Sequence, residues 1–577
     1  MKNFLLGLLS GIVLCVLAAF IVVFILIRAF SSLNAEQPVE IADDSTLVFN
    51  LEGEVPERAP VELGFPLFRE RPTLTVEQVW RNLKQAAADS RIKAVIFEPR
   101  DLAIGWGKLQ EIHQELLEFR KSGKPLVAVL RGAGTMEYYL ATAADRIYMT
   151  PEDVLDVKGL RLEGLFLKNT ASKLGIHVDI VHAGKYKDAG DIFTRTTMSP
   201  ETLEVYNAIL DQFYGDLVNA IAAGRKKDPQ QVRAAIDNGP FFGKQALDNG
   251  FVDALGFDDL VANDLQKRLG QKTLVKIGIK SYMRAPVAPS QTRIAYIAGE
   301  GEITRGEDDS GSLNSGNLIR SGAFTKLLRE VQNDRSIKGA IIRIDSPGGD
   351  GVASDDILHA AKDLARAKPV VISMGDLAAS GGYFISMTGD PVVAYPNTLT
   401  GSIGVIFAKF DLHGLYDKLG IDKQVMTRGQ YADLDSDYQP LAGKNLAKIN
   451  EEIDRFYAAF VNRVADGRKR PASEIEPLAQ GRVWTGAQAK ANGLVDELGG
   501  IDTAIGLIRQ RAHIGASEPV TLMVYPSKRT LWDTLTGRHS ESADIEVKLR
   551  AVFGGLPIHA LEQGGFLKLM PYTFRVR

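Results

Sequence analysis

Short apolar runs and amphipathic segments follow one another in the same order twice along the chain. Each copy begins with an apolar strand, continues through a polar helix to a short buried run, and reaches a Lys-Pro strand after a second helix. The apolar runs are residues 46–51, 94–97 and 124–130 in the first copy and 293–298, 340–344 and 368–374 in the second. Continuous apolar strands that alternate with amphipathic helices are typical of parallel α/β layering. The pattern therefore predicts two α/β units in tandem.

Matching residues at a constant spacing indicate that the two units are copies of one domain. Residues 213–214 (Phe-Tyr) return as residues 456–457, and the stretch 243–253 returns as 486–496 with most positions kept. Both pairs are separated by 243 positions (456 − 213 and 486 − 243), so the register holds without a gap. A period this long indicates a duplicated domain, because solenoid repeats are only about 20–50 residues long.

The length of the chain agrees with a duplication. Its 577 residues exceed the size at which one hydrophobic core usually stops growing, about 250–300 residues. We therefore expect four parts. They are a membrane anchor and linker at residues 1–44, a first repeat at 45–285, a second repeat at 286–515, and a C-terminal extension at 516–577.

An uninterrupted apolar run near the N-terminus predicts a membrane anchor. Residues 4–27 contain no charged side chain and are numerous enough to span a hydrocarbon core of about 30 Å. The run is longer than the apolar core of a cleaved signal peptide, and residues 29–33 offer no clean cleavage site. We predict an uncleaved, single-pass anchor in contact with membrane lipid. The short N-terminus and the large following domain favour an N-in orientation.

Charge and cysteine content exclude several classes of function. With a formal net charge of −3 the chain gives no reason to expect a nucleic-acid partner, which needs a concentrated basic surface. The only cysteine, Cys15, lies inside the apolar run, so no disulfide can form within the chain. The sequence has no His-Glu-x-x-His motif and no cysteine pair. We therefore expect neither a metal nor a cofactor.

The two copies keep complementary halves of a candidate catalytic pair. Ser380 lies in an Ala-Ala-Ser-Gly-Gly run between a buried strand and a predicted helix, and its counterpart in the first copy is Met136. Lys187 ends a Gly-Lys-Tyr-Lys string in the first copy, and its counterpart is Ala432. A serine at a strand-to-helix turn suits nucleophilic attack, because helix N-terminal amides stabilise developing negative charge. The complementarity predicts one composite site with Ser380 as nucleophile and Lys187 as base.

The residue types alone leave alternatives open. Ser380 also fits a close-packed turn without chemistry, and Lys187, like Lys185, also fits a solvated side chain. A lysine is a base only when neutral, and burial lowers its pKa from about 10.4 by up to about 3–5 units. His182, in the apolar stretch 180–183, is the best rival base, although it fits the end of a strand better.

A glycine loop accompanies the candidate serine. Residues 345–349 (Asp-Ser-Pro-Gly-Gly) directly follow a buried strand, and the two glycines there suit a loop that presents free amides to an oxyanion. An ordinary Pro-Gly turn has the same composition. The first copy has residues 98–102 (Glu-Pro-Arg-Asp-Leu) at this place and lacks both glycines. Because the loop and the serine occur together in one copy, a joint role is favoured.

Four strings resemble the signal peptide peptidase A (protease IV) family in its long, two-repeat, membrane-anchored form. They are residues 346–349 (Ser-Pro-Gly-Gly), 374–383 (Met-Gly-Asp-Leu-Ala-Ala-Ser-Gly-Gly-Tyr), 400–404 (Thr-Gly-Ser-Ile-Gly) and 184–187. The likeness runs from the predicted anchor to about residue 515 and is stronger in the second repeat. It implies two tandem Clp-protease/crotonase-like repeats behind an N-terminal transmembrane helix. It also implies a cell inner membrane location with the catalytic part on the periplasmic side.

The same resemblance implies a Ser–Lys dyad shared between the repeats. Ser380 is then the nucleophile, Lys187 the base, and Ser402 the hydroxyl that orients the lysine. Gly349 and Gly381 are implied as the oxyanion amides, with Gly348 as a second choice. The family is similar in forming a homotetramer whose apolar grooves accept cleaved signal peptides. The resemblance thus predicts a membrane-anchored serine endopeptidase that degrades remnant signal peptides and other apolar peptides.

One departure from the family pattern and two alternative functions also need a test. Asp188 follows the lysine where the family pattern has a serine, and an inward-facing carboxylate would raise the pKa of Lys187. We expect Asp188 to face solvent. A crotonase-type acyl-CoA enzyme shares the paired-amide oxyanion hole, and a non-catalytic membrane-associated scaffold needs the duplication only for assembly. The predicted anchor and the pairing of Ser380 with Lys187 argue against both alternatives.

Overall fold

The structure is a computed structural model that describes residues 39–59, 73–286, 290–306 and 318–526, and the backbone of 566–569 and 574–576. The predicted anchor at residues 4–27 lies outside the described residues. Within these ranges, no helix is both long and apolar enough to cross a membrane.

The first repeat is built around a parallel sheet. Its strands in chain order are β1 Ser45–Glu52, β2 Ile92–Arg100, β3 Leu126–Leu130, β4 Arg146–Met149, β5 Val154–Leu155, β6 Leu162–Gly164, β7 His177–Ala183, β8 Phe241–Phe242, β9 Ala254–Leu255 and β10 Val275–Gly278. The six-stranded sheet has the order β10-β1-β2-β3-β4-β9, and every neighbouring pair in it is parallel. The central strands β2 and β3 are buried on both faces, as their continuous apolar runs indicate.

The second repeat has a corresponding, larger sheet. Its strands are β11 Thr292–Glu300, β12 Glu302–Thr304, β13 Leu318–Arg320, β14 Ile337–Ser346, β15 Gly348–Asp350, β16 Val370–Ala379, β17 Val392–Ala394, β18 Leu399–Gly401, β19 Val405–Asp411, β20 Val483–Thr485, β21 Glu497–Leu498 and β22 Val520–Tyr525. The main path of this eight-stranded sheet is β20-β18-β16-β14-β11-β22, and β17 and β21 extend it beside β16. Since β22 pairs with β11 as β10 pairs with β1, the second sheet continues into the stretch that the sequence analysis assigns to the C-terminal extension.

A third sheet joins the two repeats. It contains β23 (Phe566–Leu569) and has the order β13-β12-β15-β23-β19-β7. Strand β7 of the first repeat pairs antiparallel with β19 of the second, from Ala183 opposite Val405 to His177 opposite Asp411. A last strand, β24 (Phe574–Val576), pairs with β6. The chain of the first repeat is therefore bound to the second repeat immediately before the loop that carries Lys187.

Helices cover the sheets. In the first repeat they are Val76–Ala88, Trp106–Arg120, Thr135–Ala141, Lys168–Leu174, Asp191–Thr194, Pro200–Arg225, Pro229–Ile236, Gly243–Asp248, Asp258–Leu269 and Ile279–Tyr282. In the second repeat they are Ser321–Asn333, Gly351–Ala367, Gly381–Ile385, His413–Leu419, Gly443–Arg468, Ala472–Ile475, Gly486–Asn492 and Ile501–Arg511. A 3₁₀ turn, Glu476–Leu478, directly follows Ala472–Ile475. Several begin at a side-chain cap: Thr75 and Thr485 each form a capping box.

The hydrophobic core is continuous across the boundary between the repeats. The cluster under the first sheet also contains Tyr296, Ile341 and Val371 from the second sheet. The helix Ile501–Arg511 adds Ile505 to the same cluster. The two repeats therefore bury apolar surface against each other, which holds their relative position.

The predicted α/β class and the tandem arrangement are confirmed. The apolar runs of the first copy lie in β1, β2 and β3, and those of the second copy lie in β11, β14 and β16. Corresponding strands pair in parallel in both copies. The pattern of apolar positions was sufficient because buried parallel strands are apolar throughout.

A buried ionic cluster also connects the repeats. Arg343 of β14 is fully buried, and one of its nitrogen atoms, Nη2, lies 2.8 Å from Oε1 of Glu57 and 2.6 Å from Oε2 of Glu111. Both carboxylates belong to the first repeat. Nη1 of Arg343 donates to Oγ of Ser373 over 2.9 Å, and the Tyr296 hydroxyl donates to Glu57 over 3.0 Å. One cation thus balances two carboxylates in the interior.

Replacing this arginine is expected to destabilise the fold. In Arg343→Met the carboxylates of Glu57 and Glu111 lose their cation while buried, which costs about 3–5 kcal/mol of the free energy of unfolding. Urea unfolding followed by circular dichroism measures the loss. Adding Glu57→Gln and Glu111→Gln to Arg343→Met should restore much of the stability, because no uncompensated charge then remains. A single variant as stable as the wild type would contradict this interpretation.

Candidate active site

Lys187 reaches the second repeat from the loop 184–187, which directly follows β7. The loop and the second repeat approach each other at two glycines. A Cβ on Gly184 would lie 2.4 Å from the carbonyl carbon of Gln480, and a Cβ on Gly481 would lie 2.6 Å from Cβ of Lys187. Both glycines have a positive φ, +101° and +74°. Only glycine permits this close backbone contact, which directs Lys187 toward the second repeat.

Ser380 lies at the turn between β16 and the helix Gly381–Ile385. Its φ of +54° and ψ of −114° form a conformation that residues with a Cβ rarely adopt. The turn is held by backbone hydrogen bonds of 2.8 Å, from the N–H of Ser380 to O of Gly401 and from the N–H of Phe384 to O of Ser380. The hydroxyl group is therefore fixed at the end of a central strand, at the start of a helix.

The amine of Lys187 contacts both candidate serines. Its Nζ lies 2.8 Å from Oγ of Ser380, 2.9 Å from the carbonyl oxygen of Ser402 and 3.0 Å from Oγ of Ser402. Lys187 is 1% exposed and both serines are 0% exposed. The structure thus brings together a lysine of the first repeat and a serine of the second, in the combination that the sequence predicts.

Ser402 and Gly404 shape the space around the lysine. The backbone N–H of Ser402 donates to O of Arg482 over 2.7 Å, and its φ is +50°. A Cβ on Gly404 would lie 3.1 Å from Cδ of Lys187, so the missing side chain leaves room for the lysine stem. The sequence analysis names Gly404 only as part of a string. Its packing role depends on a contact between the repeats, which no local pattern indicates.

The two glycines predicted to supply the oxyanion amides are close in space. A Cβ on Gly381 would lie 3.1 Å from the backbone nitrogen of Gly349. Gly349 has a φ of +151°, and a Cβ there would lie 2.0 Å from O of Ile303, so the position admits only glycine. The neighbouring amide of Gly348 already donates to Oγ of Ser346 over 3.2 Å. Gly381 begins its helix, where the first N–H groups have no partner within the helix.

The expectation that Asp188 faces solvent is wrong. Its Oδ2 accepts a hydrogen bond of 2.7 Å from Oγ1 of Thr202, and its Oδ1 is buried with no hydrogen-bond partner among the described residues. The carboxylate turns inward because Thr202, in the first turn of the helix Pro200–Arg225, offers a hydroxyl donor. Burial raises the pKa of Asp188 to about 6, and the nearby Asp191 adds to the rise. The carboxyl group of Asp188, which follows Lys187 in the chain, is thus bound by Thr202 of the same repeat.

The rival bases lie elsewhere. His182 is the penultimate residue of β7 and is exposed, and its Nδ1 lies 3.1 Å from O of Gly184. Lys185 is exposed, with its amine 4.6 Å from the centre of the Tyr186 ring. In the part of the chain that the structure describes, no group of three His, Cys, Asp or Glu side chains is arranged to hold a metal ion.

Sequence reasoning missed the surface that receives the lysine loop. This surface includes Gln480 and Gly481, which contact the loop through their backbone. A weak signal was present: Gly481 stands where the first copy has Asn238 (481 − 243). A glycine found in only one copy marks a position where only that copy needs a close backbone approach.

Comparison with known proteins assigns the family. The profile described as Peptidase family S49 matches residues 118–272, which contain Lys187, and residues 362–515, which contain Ser380 and Ser402. The two α/β repeats, the site between them and the matching profile together define a protease with a duplicated domain. The chain belongs to peptidase family S49, and it is a serine protease of that family.

Three relatives are similar to this chain over most of their length. A protein named "Serine protease SPPA, chloroplastic" from Arabidopsis thaliana is 35% identical over 496 residues, 84% of this chain and 73% of that protein. "Protease 4" of Salmonella typhi is 32% identical over 447 residues, 75% of this chain and 71% of the relative. "Protease 4" of Haemophilus influenzae is 29% identical over 535 residues, 86% and 83% of the two chains. The resemblance inferred from the four strings is confirmed.

Proposed function

We propose that the protein is a membrane-anchored endopeptidase that degrades cleaved signal peptides and other apolar peptides with a dyad of Ser380 and Lys187. The observation that carries the proposal is the 2.8 Å contact between Nζ of Lys187 and Oγ of Ser380, with both residues buried. A similar protein from Enterococcus faecium, 35% identical over 195 residues, is named "Putative signal peptide peptidase SppA", and this name suggests the substrate class.

The chemistry begins with a proton transfer. Lys187 takes the proton of the Ser380 hydroxyl as Oγ attacks the carbonyl carbon of the scissile peptide bond. Lys187 then gives this proton to the departing amine, so the peptide leaves as a neutral amine and Ser380 carries an acyl group. A water molecule, deprotonated by the same lysine, hydrolyses the ester and restores the serine.

The position of Lys187 suits it to this role. A general base must lie within hydrogen-bond reach of the proton that it removes, and Nζ of Lys187 lies 2.8 Å from Oγ of Ser380. The two oxygen atoms of Ser402 hold the amine at 2.9 and 3.0 Å, which fixes its direction relative to Ser380. We therefore assign Ser402 the role of orienting the amine of Lys187.

The oxyanion of the tetrahedral intermediate is assigned to the amides of Gly349 and Gly381. Backbone N–H groups that are already in position stabilise developing charge without reorganisation, and losing one such donor costs about 10²–10³ in rate. The contact between the two glycines supports a shared oxygen site. The same paired-amide geometry would also suit an acyl-CoA enzyme, but the buried serine–lysine contact favours acyl transfer to Ser380.

An extended peptide fits the position beside β15 that β23 occupies. Here the chain's own strand β23 pairs antiparallel with Gly348–Asp350, and on its other side with Ile406 and Phe407 of β19. The segment that carries Gly349 can therefore pair with an extended backbone, which is how proteins bind unfolded peptides by strand addition. A substrate bound in the same way would bring a carbonyl group close to the Gly349 amide.

The pairing of β23 leads to a prediction about substrate affinity. Deletion of residues 566–577 should lower KM for a peptide severalfold and leave kcat nearly unchanged, because the substrate no longer competes with a tethered strand. Hydrolysis rates measured over a range of peptide concentrations separate the two constants. An unchanged KM would show that β23 does not occupy the path of the substrate.

The proposed activity is tested with the purified full chain and two substrate classes. We expect hydrolysis of an internally quenched apolar peptide and none of an acyl-CoA thioester. A peptide of the same length with charged residues throughout serves as the control for apolar preference. Turnover of acyl-CoA without peptide hydrolysis would favour the crotonase-type alternative, and no turnover of either would favour a scaffold.

Membrane attachment, assembly and domain limits complete the proposal. Residues 4–27 are assigned as a single transmembrane anchor, with the catalytic part on the periplasmic side of a cell inner membrane. The chain is assigned as a homotetramer of units with repeats at 45–285 and 286–515. Extraction with alkali and with detergent, followed by sedimentation of the extracted protein, distinguishes an integral tetramer from a peripheral or monomeric protein.

A further inference from the structure

A buried lysine of the first repeat lies next to the two strands that lead into the candidate site. Lys108 is in the first turn of the helix Trp106–Arg120, and its side chain is 6% exposed. Its Nζ lies 2.6 Å from Oδ2 of Asp345, 3.4 Å from Oε1 of Glu300 and 3.8 Å from Oδ2 of Asp376. All three carboxylates belong to the second repeat, so one cation of the first repeat is surrounded by acidic groups of the other.

The backbone of the same helix binds the second repeat as well. The helix Trp106–Arg120 has no side-chain cap of its own. Instead, Asp376 accepts hydrogen bonds from the N–H of Gly105 over 2.8 Å and from the N–H of Lys108 over 2.7 Å. Its carboxylate thereby satisfies two N–H groups that a helix start leaves without partners. A Cβ on Gly105 would lie 2.3 Å from Cγ of Asp376, so a larger residue here would displace the carboxylate.

The acidic partners of Lys108 stand directly before the proposed catalytic groups. Asp345 is the penultimate residue of β14 and precedes the loop of Gly349, and Asp376 lies in β16, which ends at the residue before Ser380. The pairing of β14 with β16 is irregular between Ile344 and Ser346. Oδ1 of Asp345 accepts from the N–H of Leu377 over 3.0 Å at this irregularity. A side chain thus bridges the two strands where their regular ladder is interrupted.

The charges explain why this arrangement needs the cation. Burial alone would lower the pKa of Lys108, but the carboxylates of Asp345 and Asp376, with further acidic groups, raise it well above its usual value. Burial raises the pKa of Glu300 to about 7 and that of Asp376 to about 6. Without the cation, these buried carboxyl groups lose the charge that holds them together at the point where both strands turn toward the site.

We propose that Lys108 is a positioning residue: by binding Asp345 and Asp376 it holds the oxyanion loop and the Ser380 turn in their relative positions. The inference rests on the proposed function. It gives the first repeat a second task besides supplying Lys187, because the cation that aligns the two catalytic strands of the second repeat also comes from the first.

The test compares Lys108→Met with Lys84→Met. Lys84 also forms an ion pair across the boundary between the repeats, with Asp502, but it is 38% exposed, and both of its carboxylate partners, Glu115 and Asp502, lie in helices rather than in β14 or β16. In Lys108→Met we expect kcat for peptide hydrolysis to fall at least tenfold while KM stays within about twofold, since the aligned groups act on the transition state. Lys84→Met should keep the wild-type kcat.

A purely structural role would give a different result. If Lys108 only stabilises the fold, Lys108→Met will melt at a lower temperature but retain the wild-type kcat per folded molecule, and this outcome would overturn the proposal. If Lys108→Met does not fold, the variant Asp345→Asn is tested instead. Its amide oxygen can still accept a hydrogen bond from the N–H of Leu377, but the ion pair with Lys108 is lost. A wild-type kcat in this variant would also overturn the proposal. An inactive wild type would instead refute the proposed function, and the inference with it.

Discussion

Replacing Ser380 with alanine is expected to abolish peptide hydrolysis and leave the fold unchanged. Without Oγ no acyl-enzyme can form, and we expect kcat to fall by about 10⁴-fold or more, as for the nucleophile of other serine peptidases. The substitution removes one buried oxygen atom and adds none, so the melting temperature should change little. Steady-state hydrolysis of an apolar quenched peptide, with circular dichroism for the fold, measures both effects.

Ser386→Ala is the matched control for this variant. Ser386 is also fully buried and lies just after the same short helix, where its hydroxyl donates to O of Gly382 over 2.8 Å. Its loss removes a hydrogen bond but no proposed catalytic atom, so most of the activity should remain. Substantial hydrolysis by Ser380→Ala would show that another residue is the nucleophile.

Replacing Lys187 with methionine is expected to have the second largest effect. Methionine keeps much of the apolar stem but supplies neither base nor acid, and loss of general acid–base catalysis lowers kcat by about 10²–10⁴-fold. KM should change little, because Nζ of Lys187 faces the two serines rather than a side-chain pocket. The measurement is the same peptide assay, with kcat and KM determined separately.

Lys185→Met provides the control in the same loop. Lys185 is exposed beside the Tyr186 ring, so its replacement should leave kcat unchanged. Equal losses in the Lys185 and Lys187 variants would indicate a disturbed loop rather than a lost base. Full activity in Lys187→Met would contradict the dyad and direct attention to His182.

The candidate pair Ser380 and Lys187 could be predicted because the two copies of the domain can be compared with each other. Ser380 opposite Met136 and Lys187 opposite Ala432 are differences between copies that otherwise match, so each residue stands out against a neutral counterpart. The sheets could be predicted for a related reason, since buried parallel strands such as β14 and β16 are apolar throughout. Both signals, the difference between matching copies and the apolar character of buried strands, can be read directly from the sequence.

Contacts between the repeats could not be predicted in the same way. Lys108 is one lysine among many in the sequence, and its partners Glu300, Asp345 and Asp376 come from distant points of the chain. Asp188 was expected to face solvent, but its donor, Thr202, lies on a separate helix, and only tertiary packing brings the two together. Side-chain direction in such places is set by tertiary packing and not by neighbours in sequence.

The claim that a lysine of one repeat activates a serine of the other is tested most directly by covalent labelling. Wild type, Lys187→Met and Lys185→Met are treated with a peptidyl fluorophosphonate, and the modified residue and its rate of modification are determined by mass spectrometry. This readout isolates the attack step from substrate preference. The account predicts modification of Ser380 in wild type and in Lys185→Met, and at least a hundredfold slower modification in Lys187→Met. Equal rates in all three proteins, or modification of a different serine, would contradict it.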